Sequence, residues 1–317
     1  MDNLVEIKDL FVEYTTFKGF PAVKQTIHAV NGINLTINKG EILAIAGESG
    51  CGKSTLAKAL IGLEPVKAGD IVFRNEHISC LNKKEMQDFR KKVQMIFQNP
   101  YASLNPKMKI SEILKEPLEI NTNYSSEKIS QIVEEKIKLT GLDKSCLELY
   151  PHEFSGGQRQ RIAIARALVL EPEFILADEP VSALDVSIQA QVINLLKDLK
   201  DNYNLTFLLI THDMSVIEYL ADRVAIMYLG EIVEIGKTSD IFANPLHPYT
   251  KALLNSVPDI TGQNDKKRIL KGDLPSPSNI PKGCKFHTRC PYVMEKCKKC
   301  HPQEKGSNHK VKCFLFE

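Results

Sequence analysis

Hydrophobic positions along the chain fall into short runs separated by amphipathic stretches. Residues 4–13 and 27–46 alternate or run apolar as strands do, with 33-INLTI-37 followed by 42-ILAIA-46. An unbroken apolar run of the second kind suits a strand covered on both faces, as in a parallel sheet. It ends in a glycine-rich turn, after which 54-STLAKALIGL-63 carries an apolar stripe at helical spacing. Residues 93-VQMIF-97 form another strand-like run, and from about 106 to 150 the pattern turns helical and more polar, as in 126-SEKISQIVEEKIKLTGL-142. The alternation then resumes: helix 156–170, strand 174-FILA-177, helix 186–203, strand 206-TFLLI-210 and strands within 223–235. Strands alternating with helices predict an α/β fold with a mostly parallel sheet and helices on its faces. The expected partition is a core of residues 1–98 and 151–257, a helical subdomain at 99–150 and an extension at 258–317. In that extension Pro, Gly and Ser become frequent (274-LPSPSNIPKG-283), which reads as an extended tail rather than a further core. Neither an internal repeat nor a long heptad run is visible.

Composition narrows the function more than the fold. The chain of 317 residues is 43% hydrophobic and 25% charged, with 41 basic and 39 acidic residues giving a net charge of +2. These charges are dispersed, unlike the basic stripe of a nucleic-acid binder. The start, MDNLVEIKDL, lacks the features of a secretory signal, so a cytoplasmic location is expected. Since no apolar stretch approaches the roughly 20 residues that span a bilayer, a membrane role would run through partners.

The turn after 42-ILAIA-46 is 47-GESGCGKST-55, in which Gly47, Gly52, Lys53 and Ser54 satisfy G-x-x-x-x-G-K-[ST] between a strand and a helix. Glycines let backbone N–H groups wrap phosphates, and the following helix offers them the positive end of its dipole. Gly47, Glu48, Ser49, Gly50, Cys51, Gly52, Lys53, Ser54 and Thr55 are thus the expected nucleotide-binding set. Lys53 would reach the β- and γ-phosphates, and the Ser54 hydroxyl would ligate Mg²⁺. The bland reading of Cys51, a small residue at a variable position, outweighs a redox role. A second element is 174-FILADE-179: a carboxylate ending a buried strand, Asp178, can hold the Mg²⁺ shell, and Glu179 sits where a base can polarise the attacking water. Taken alone, acidic residues after a strand are as often caps for the next turn.

The segment 153-EFSGGQRQRIAIARAL-168 chooses among phosphate-loop proteins. Its Ser155, Gly156, Gly157 and Gln158 resemble the LSGGQ signature of ABC ATPases, with Phe154 in place of leucine. The resemblance implies a P-loop NTPase core with a helical subdomain, an antiparallel β portion and a Cys-rich tail. It also implies that Ser155 and Gly157 contact the γ-phosphate of ATP held by a second subunit; without it, Ser155 reads as a helix N-cap. By the same resemblance Gln98 is the Q-loop glutamine that touches Mg²⁺ or its water, Asp185 closes the D-loop, and His212 is the switch histidine. Tyr14 is the expected adenine-stacking aromatic, with Phe11 and Phe17 as competitors and residues 15–29 read as an insertion.

A finer resemblance spans nearly the whole chain. The segments 98-QNPYASLNP-106, 178-DEPVSALDVS-187, 227-MYLGEIVEIG-236, 244-NPLHPYTKALLNSVP-258 and 272-GDLPSPSNIPKGCKFHTRCPYVMEKC-297 resemble the ATP-binding subunits of oligopeptide and dipeptide permeases. With 116-EPLEINT-122, they are most similar to the F-type chain of the two paired ATPases. The implied partners are a D-type ATPase paralogue, two transmembrane permease subunits near Gln98 and Tyr101, and indirectly an extracytoplasmic solute-binding protein, with no nucleic acid. The implied cofactors are ATP and Mg²⁺. Relatives importing nickel or opines keep the solute open. A soluble ABC ATPase acting on nucleic acid or ribosomes is a rival, though such proteins carry long coiled coils or paired nucleotide domains.

Eight cysteines are unevenly placed, with Cys284, Cys290, Cys297, Cys300 and Cys313 spaced C-x5-C-x6-C-x2-C-x12-C. In a reducing compartment such crowding argues for metal before disulfides. The family pattern matches Cys284, Cys290, Cys297 and Cys313, implying a [4Fe–4S] cluster, with Cys300 an alternate ligand. Four thiolates also suit tetrahedral zinc, and His287, His301 and His309 keep a mixed zinc site or plain structural thiols open.

Overall fold

The computed structural model describes residues 2–18, 23–255, 272 and 274–317. In chain order they form β1 (Asn3–Lys18), β2 (Val23–Asn38), β3 (Ile42–Ala46), α1 (Lys53–Leu60), β4 (Ala68–Phe73) and β5 (Glu76–His77). Next come α2 (Lys83–Lys92), β6 (Val93–Ile96), α3 (Pro100–Ser103), α4 (Ile110–Asn121), α5 (Ser126–Leu139), α6 (Gly156–Leu168), β7 (Phe174–Asp178), α7 (Val186–Tyr203) and β8 (Thr206–Ile210). The chain ends with α8 (Met214–Leu220), β9 (Arg223–Tyr228), β10 (Glu231–Lys237), α9 (Thr238–Ala243), α10 (Pro248–Leu254), α11 (Glu295–Lys299), β11 (Glu304–Lys305) and β12 (Lys310–Lys312). Two compact units result, Met1–Cys80 with Ile210–Glu317, and Leu81–Leu209.

In the first unit β3 is buried at every position and runs parallel to β9, from Leu43 opposite Arg223 to Ala46 opposite Ile226. Burial on both faces is what its uninterrupted apolar run requires. β9 turns back into β10 through Leu229 and Gly230, both at positive φ (43° and 79°), the geometry of a two-residue hairpin. The strands of this unit's parallel-bearing sheet follow the order β11-β12-β10-β9-β3. A separate antiparallel sheet has the order β2-β1-β4-β5. Its hairpin shifts register up to Val12 and Glu13 and then runs without a shift from Glu13 opposite His28 to Lys18 opposite Val23, so the described part of the 15–29 insertion lengthens two paired strands.

In the second unit β6 runs parallel to β7, with Val93 opposite Phe174 and Ile96 opposite Ala177. Beside them Ile110, Ile113, Leu114 and Leu118 of α4 meet Ile129, Ile132, Val133 and Ile137 of α5 and Ile162 and Ala165 of α6 in one buried cluster. The i, i+3, i+4 spacing on each helix places these side chains on one face, and each fully buried Leu or Ile is worth about 1.5–3 kcal/mol. Ser125 starts α5 by accepting the Lys128 N–H at 3.3 Å.

The tail, expected as an extended segment rather than a further core, is tied to the first unit. It has little regular structure, yet Val311 pairs with Glu234 to add β12 to the sheet, and Phe286 is only 1% exposed. The tail therefore has its own anchors on the core of the first unit. No helix among the described residues is long and apolar enough to cross a membrane.

Candidate functional site

The loop between β3 and α1 is shaped by close backbone approach. A Cβ on Gly47 would lie 2.2 Å from the Met227 carbonyl oxygen, and one on Gly52 would lie 2.1 Å from that of Ala29. Only glycine fits at both places. Gly50, at φ 82°, faces open space instead. Lys53 is 5% exposed and folds back, donating to the carbonyls of Gly47 at 2.7 Å and Glu48 at 3.0 Å. Ser49 and Ser54 are exposed, and Thr55 lies 3.5 Å from the Tyr14 hydroxyl. Tyr14 is half-buried at this place, whereas Phe17 is 69% exposed and the Phe11 ring lies 3.1 Å from where a Gly32 Cβ would be.

Burial pushes the Cys51 thiol above its usual range, and the side chain is 1% exposed. This is the environment of an inert small residue rather than of a reactive thiolate.

In the second unit Asp178 closes β7 and is buried, and Glu179 follows with φ 46°, in the left-handed region that a non-glycine residue seldom adopts. Gln98, just beyond β6, donates Nε2–H to Glu179 Oε2 at 2.7 Å. The structure thereby brings together two residues that stand far apart in the sequence. Ser155 caps α6 through a reciprocal pair: its hydroxyl accepts the Gln158 N–H at 3.3 Å, and Gln158 Oε1 accepts the Ser155 N–H at 2.9 Å. A Cβ on Gly157 would meet Ile188 of α7 at 2.1 Å. Gly156 leads towards Leu184, and Asp185 stands exposed before α7 without a side-chain capping bond. Tyr101 carries the Arg159 guanidinium 4.0 Å above its ring, joining the segment after Gln98 to α6.

His212, in the first unit, is exposed at the end of β8. Thr211 donates its N–H to the Ile45 carbonyl at 3.3 Å, which sets this turn beside the end of β3. Asp213 then caps α8 by accepting the Ser215 N–H at 2.9 Å.

The tail cysteines are placed unevenly. Cys297 and Cys313 are buried, Cys284 and Cys290 half-buried, and Cys300 exposed. Burial, reinforced by the thiols of Cys297, Cys313 and Cys290, pushes Cys284 up to about 12. The four thus share one electrostatic neighbourhood. Even so, among the described residues no group of three or more His, Cys, Asp or Glu side chains is arranged to hold a metal ion. The alternative of a mixed zinc site gains no support from the histidines. His301 Nε2 bonds Glu231 at 2.8 Å and His309 Nε2 bonds Glu234 at 2.7 Å, while His287 Nδ1 lies 2.8 Å from the Cys284 carbonyl. These rings bond carboxylates and backbone.

The sequence reading missed the partners of Glu48. Its N–H donates to the Tyr249 hydroxyl at 2.8 Å, and its carboxylate accepts from Arg289 Nη1 and Nη2 at 2.8 and 3.0 Å. A carboxylate inside a phosphate-type loop was the one available signal that a cation stands nearby.

Comparison with known proteins gives residues 30–182 as a match to the family described as ABC transporter. Residues 233–297 match the family described as oligopeptide/dipeptide transporter, C-terminal region. The chain is 47% identical over 322 residues to the oligopeptide transport ATP-binding protein AppF of Bacillus subtilis (strain 168), covering 99% of this chain and 98% of that protein. It is 46% identical to the oligopeptide transport ATP-binding protein OppF of Salmonella typhimurium (strain LT2), covering 99% and 96%. It is also 47% identical to the dipeptide transport ATP-binding protein DppF of Haemophilus influenzae, covering 96% and 94%. Among solved structures, the dimeric post-hydrolysis ATP-binding cassette MJ0796 bound to ADP and Pi aligns with a TM-score of 0.66 at 30% identity, covering 74% of this chain and 98% of that one.

Proposed function

This chain belongs to the ABC transporter ATP-binding proteins of the oligopeptide/dipeptide transport family, and from that premise we propose how its residues divide the work. It is the ATP-binding and ATP-hydrolysing subunit of a peptide importer, an ATPase coupled to transport. It works with membrane permease subunits and dimerises with a second ATPase, as the family does. The relatives are named for oligopeptides and dipeptides, which disfavours nickel, opines, nucleic acid and ribosomes as targets.

In the proposed division, the loop amides of residues 47–55 and Lys53 bind the phosphates, and Tyr14 stacks on adenine. Ser54, Gln98 and Asp178 serve Mg²⁺, while Glu179 polarises the attacking water. His212 contacts the γ-phosphate. Ser155 to Gln158 and Asp185 act on the nucleotide held by the other ATPase. That partner is a D-type paralogue, both bind the permease on the cytoplasmic face, and a solute-binding protein delivers the peptide outside.

The observation that carries the hydrolytic reading is the Gln98–Glu179 bond at 2.7 Å, with Glu179 at φ 46°. A strained carboxylate fixed by a neighbour is aimed rather than free to wander, which is what a base for water requires. Replacing Glu179 by Gln keeps the shape and removes the base. Turnover should fall at least about 100-fold while MgATP still binds. Near-normal turnover in that variant would remove Glu179 from the role.

For the tail, the finer reading is a four-thiolate set at Cys284, Cys290, Cys297 and Cys313 for a [4Fe–4S] cluster, with tetrahedral zinc as the rival. Its support is the spacing and the mutual influence of the thiols, and no step of ATP chemistry runs through it. Iron and acid-labile sulfide in anaerobically purified protein would bear it out; zinc alone, or no metal, would end it.

A further inference from the structure

Glu48 is the second residue of the phosphate loop, and both its backbone and its side chain are held by residues about 200 or more positions later in the chain. Tyr249 accepts its N–H at 2.8 Å, and Arg289 grips its carboxylate with two parallel bonds of 2.8 and 3.0 Å. Such a fork-to-fork pair is both directional and stronger than a single charged contact. The Arg289 side chain is 7% exposed and that of Glu48 26% exposed, so the pair is shielded from water. Lys53 rests its ammonium on the Glu48 carbonyl in the same corner, at 3.0 Å.

Arg289 itself is anchored by its neighbours. Phe286 packs edge-on against Tyr228 at 5.3 Å and tilted against Tyr249 at 5.5 Å. Lys285 donates to the Leu229 carbonyl at 2.9 Å and pairs with Glu231 at 2.7 Å. The next residue, Gly230, donates its N–H to the Cys51 carbonyl of the loop at 2.8 Å. The tail therefore reaches the loop by two routes, one through charge and one through the β9–β10 turn.

A loop that must receive the negative charge of ATP is a poor place for an uncompensated carboxylate. We infer that Arg289 of the C-terminal extension is a positioning residue for the phosphate loop, neutralising Glu48 and fixing its corner so that nucleotide affinity depends on the seated tail. This rests on residues 47–55 being the phosphate-binding loop.

The test is titration of the full-length chain with a fluorescent ATP analogue and Mg²⁺, with melting curves for each variant. Arg289→Ala should bind roughly tenfold more weakly, equivalent to about 1.4 kcal/mol. Arg289→Lys, which keeps charge but loses the fork, should fall between that variant and the native chain. Adding Glu48→Gln to Arg289→Ala should restore affinity to within about threefold of native, because the repelling charge is gone. A purely structural role for Arg289 would not be rescued this way. Affinity in folded Arg289→Ala within about twofold of native, or no rescue in the double variant, overturns the inference. Should Arg289→Ala fail to fold, Arg289→Lys decides, and native affinity there counts against the proposal. Lys53→Ala separates the two levels. If it binds like native, the loop assignment is at fault; if it alone loses binding, only the role of Arg289 falls.

Discussion

Three glycines of one loop differ in why they are needed. Gly47 is excluded from carrying a side chain by a carbonyl oxygen 2.2 Å from its would-be Cβ, whereas Gly50 has positive φ but open space around it. Gly47→Ala must move backbone against backbone, a mechanism that costs on the order of 2–4 kcal/mol, and the loop should lose MgATP binding together with thermal stability. Gly50→Ala carries only the left-handed penalty of about 1–2 kcal/mol, so its melting temperature should fall less while nucleotide affinity still drops. Melting curves and nucleotide titration of both variants check this; equal destabilisation would mean that crowding by Met227 is not what fixes Gly47. The motif made both glycines legible as phosphate-loop positions. It could not reveal that Gly47 and Gly52 are also demanded by Met227 and Ala29, because those contacts depend on strands distant in sequence.

At the level of elements, α10 begins with a buried titratable cap. His247 is 1% exposed, accepts the Tyr249 N–H on Nδ1 at 3.1 Å, donates its own backbone N–H to Glu234 at 2.8 Å and lies 5.5 Å from the Phe286 ring. Burial lowers its pKa from 6.5 to about 3. The folded chain thus keeps the ring neutral while the unfolded chain takes up a proton below about 6.5, so this group's contribution to stability is intact above that pH and is lost progressively as pH falls towards 3. The slope approaches about 1.4 kcal/mol per pH unit. His247→Asn keeps an acceptor for the cap and removes the proton uptake, so its melting temperature should fall less than that of the native chain between about pH 7 and pH 5. Parallel losses in both would mean that His247 is not the acid-sensitive group.

Elsewhere the elements were unevenly legible. The β3, β7 and β8 runs were visible because total burial leaves an unbroken apolar string. α2 was not read from 83-KKEMQDFRKK-92, where only Phe89 is buried. Its start was nevertheless written in the reciprocal Asn82–Glu85 cap, with bonds of 2.9 to 3.1 Å. The anchors of the tail, Phe286 and Val311 among them, are not legible in the sequence because they are long-range and have no local period.

At the scale of the whole molecule, the phosphate loop and the signature segment belong to different compact units, and in the proposed division they act on different nucleotides of a dimer. Ser155 allows the two roles of the signature to be separated. Its hydroxyl caps α6, a bond whose loss costs about 1 kcal/mol, and in the proposed dimer it also faces the ATP held by the other subunit. Ser155→Ala removes the cap without adding bulk, and Ser155→Arg removes it and fills the space a facing phosphate would need. Both should melt at similar, slightly lowered temperatures. Both should bind MgATP at their own loop within about twofold of native, since Lys53 and its loop are untouched. Only the arginine variant should lose nearly all turnover in the assembled transporter, and the silenced site should be the one whose phosphate loop lies on the partner ATPase. Steady-state hydrolysis, measured with Lys53→Ala in this chain and, separately, with the phosphate-loop lysine of the partner ATPase replaced by Ala, identifies which loop has stopped. Normal turnover in Ser155→Arg would leave the signature as a helix cap and nothing more, and loss of this chain's own site would place the shared interface elsewhere.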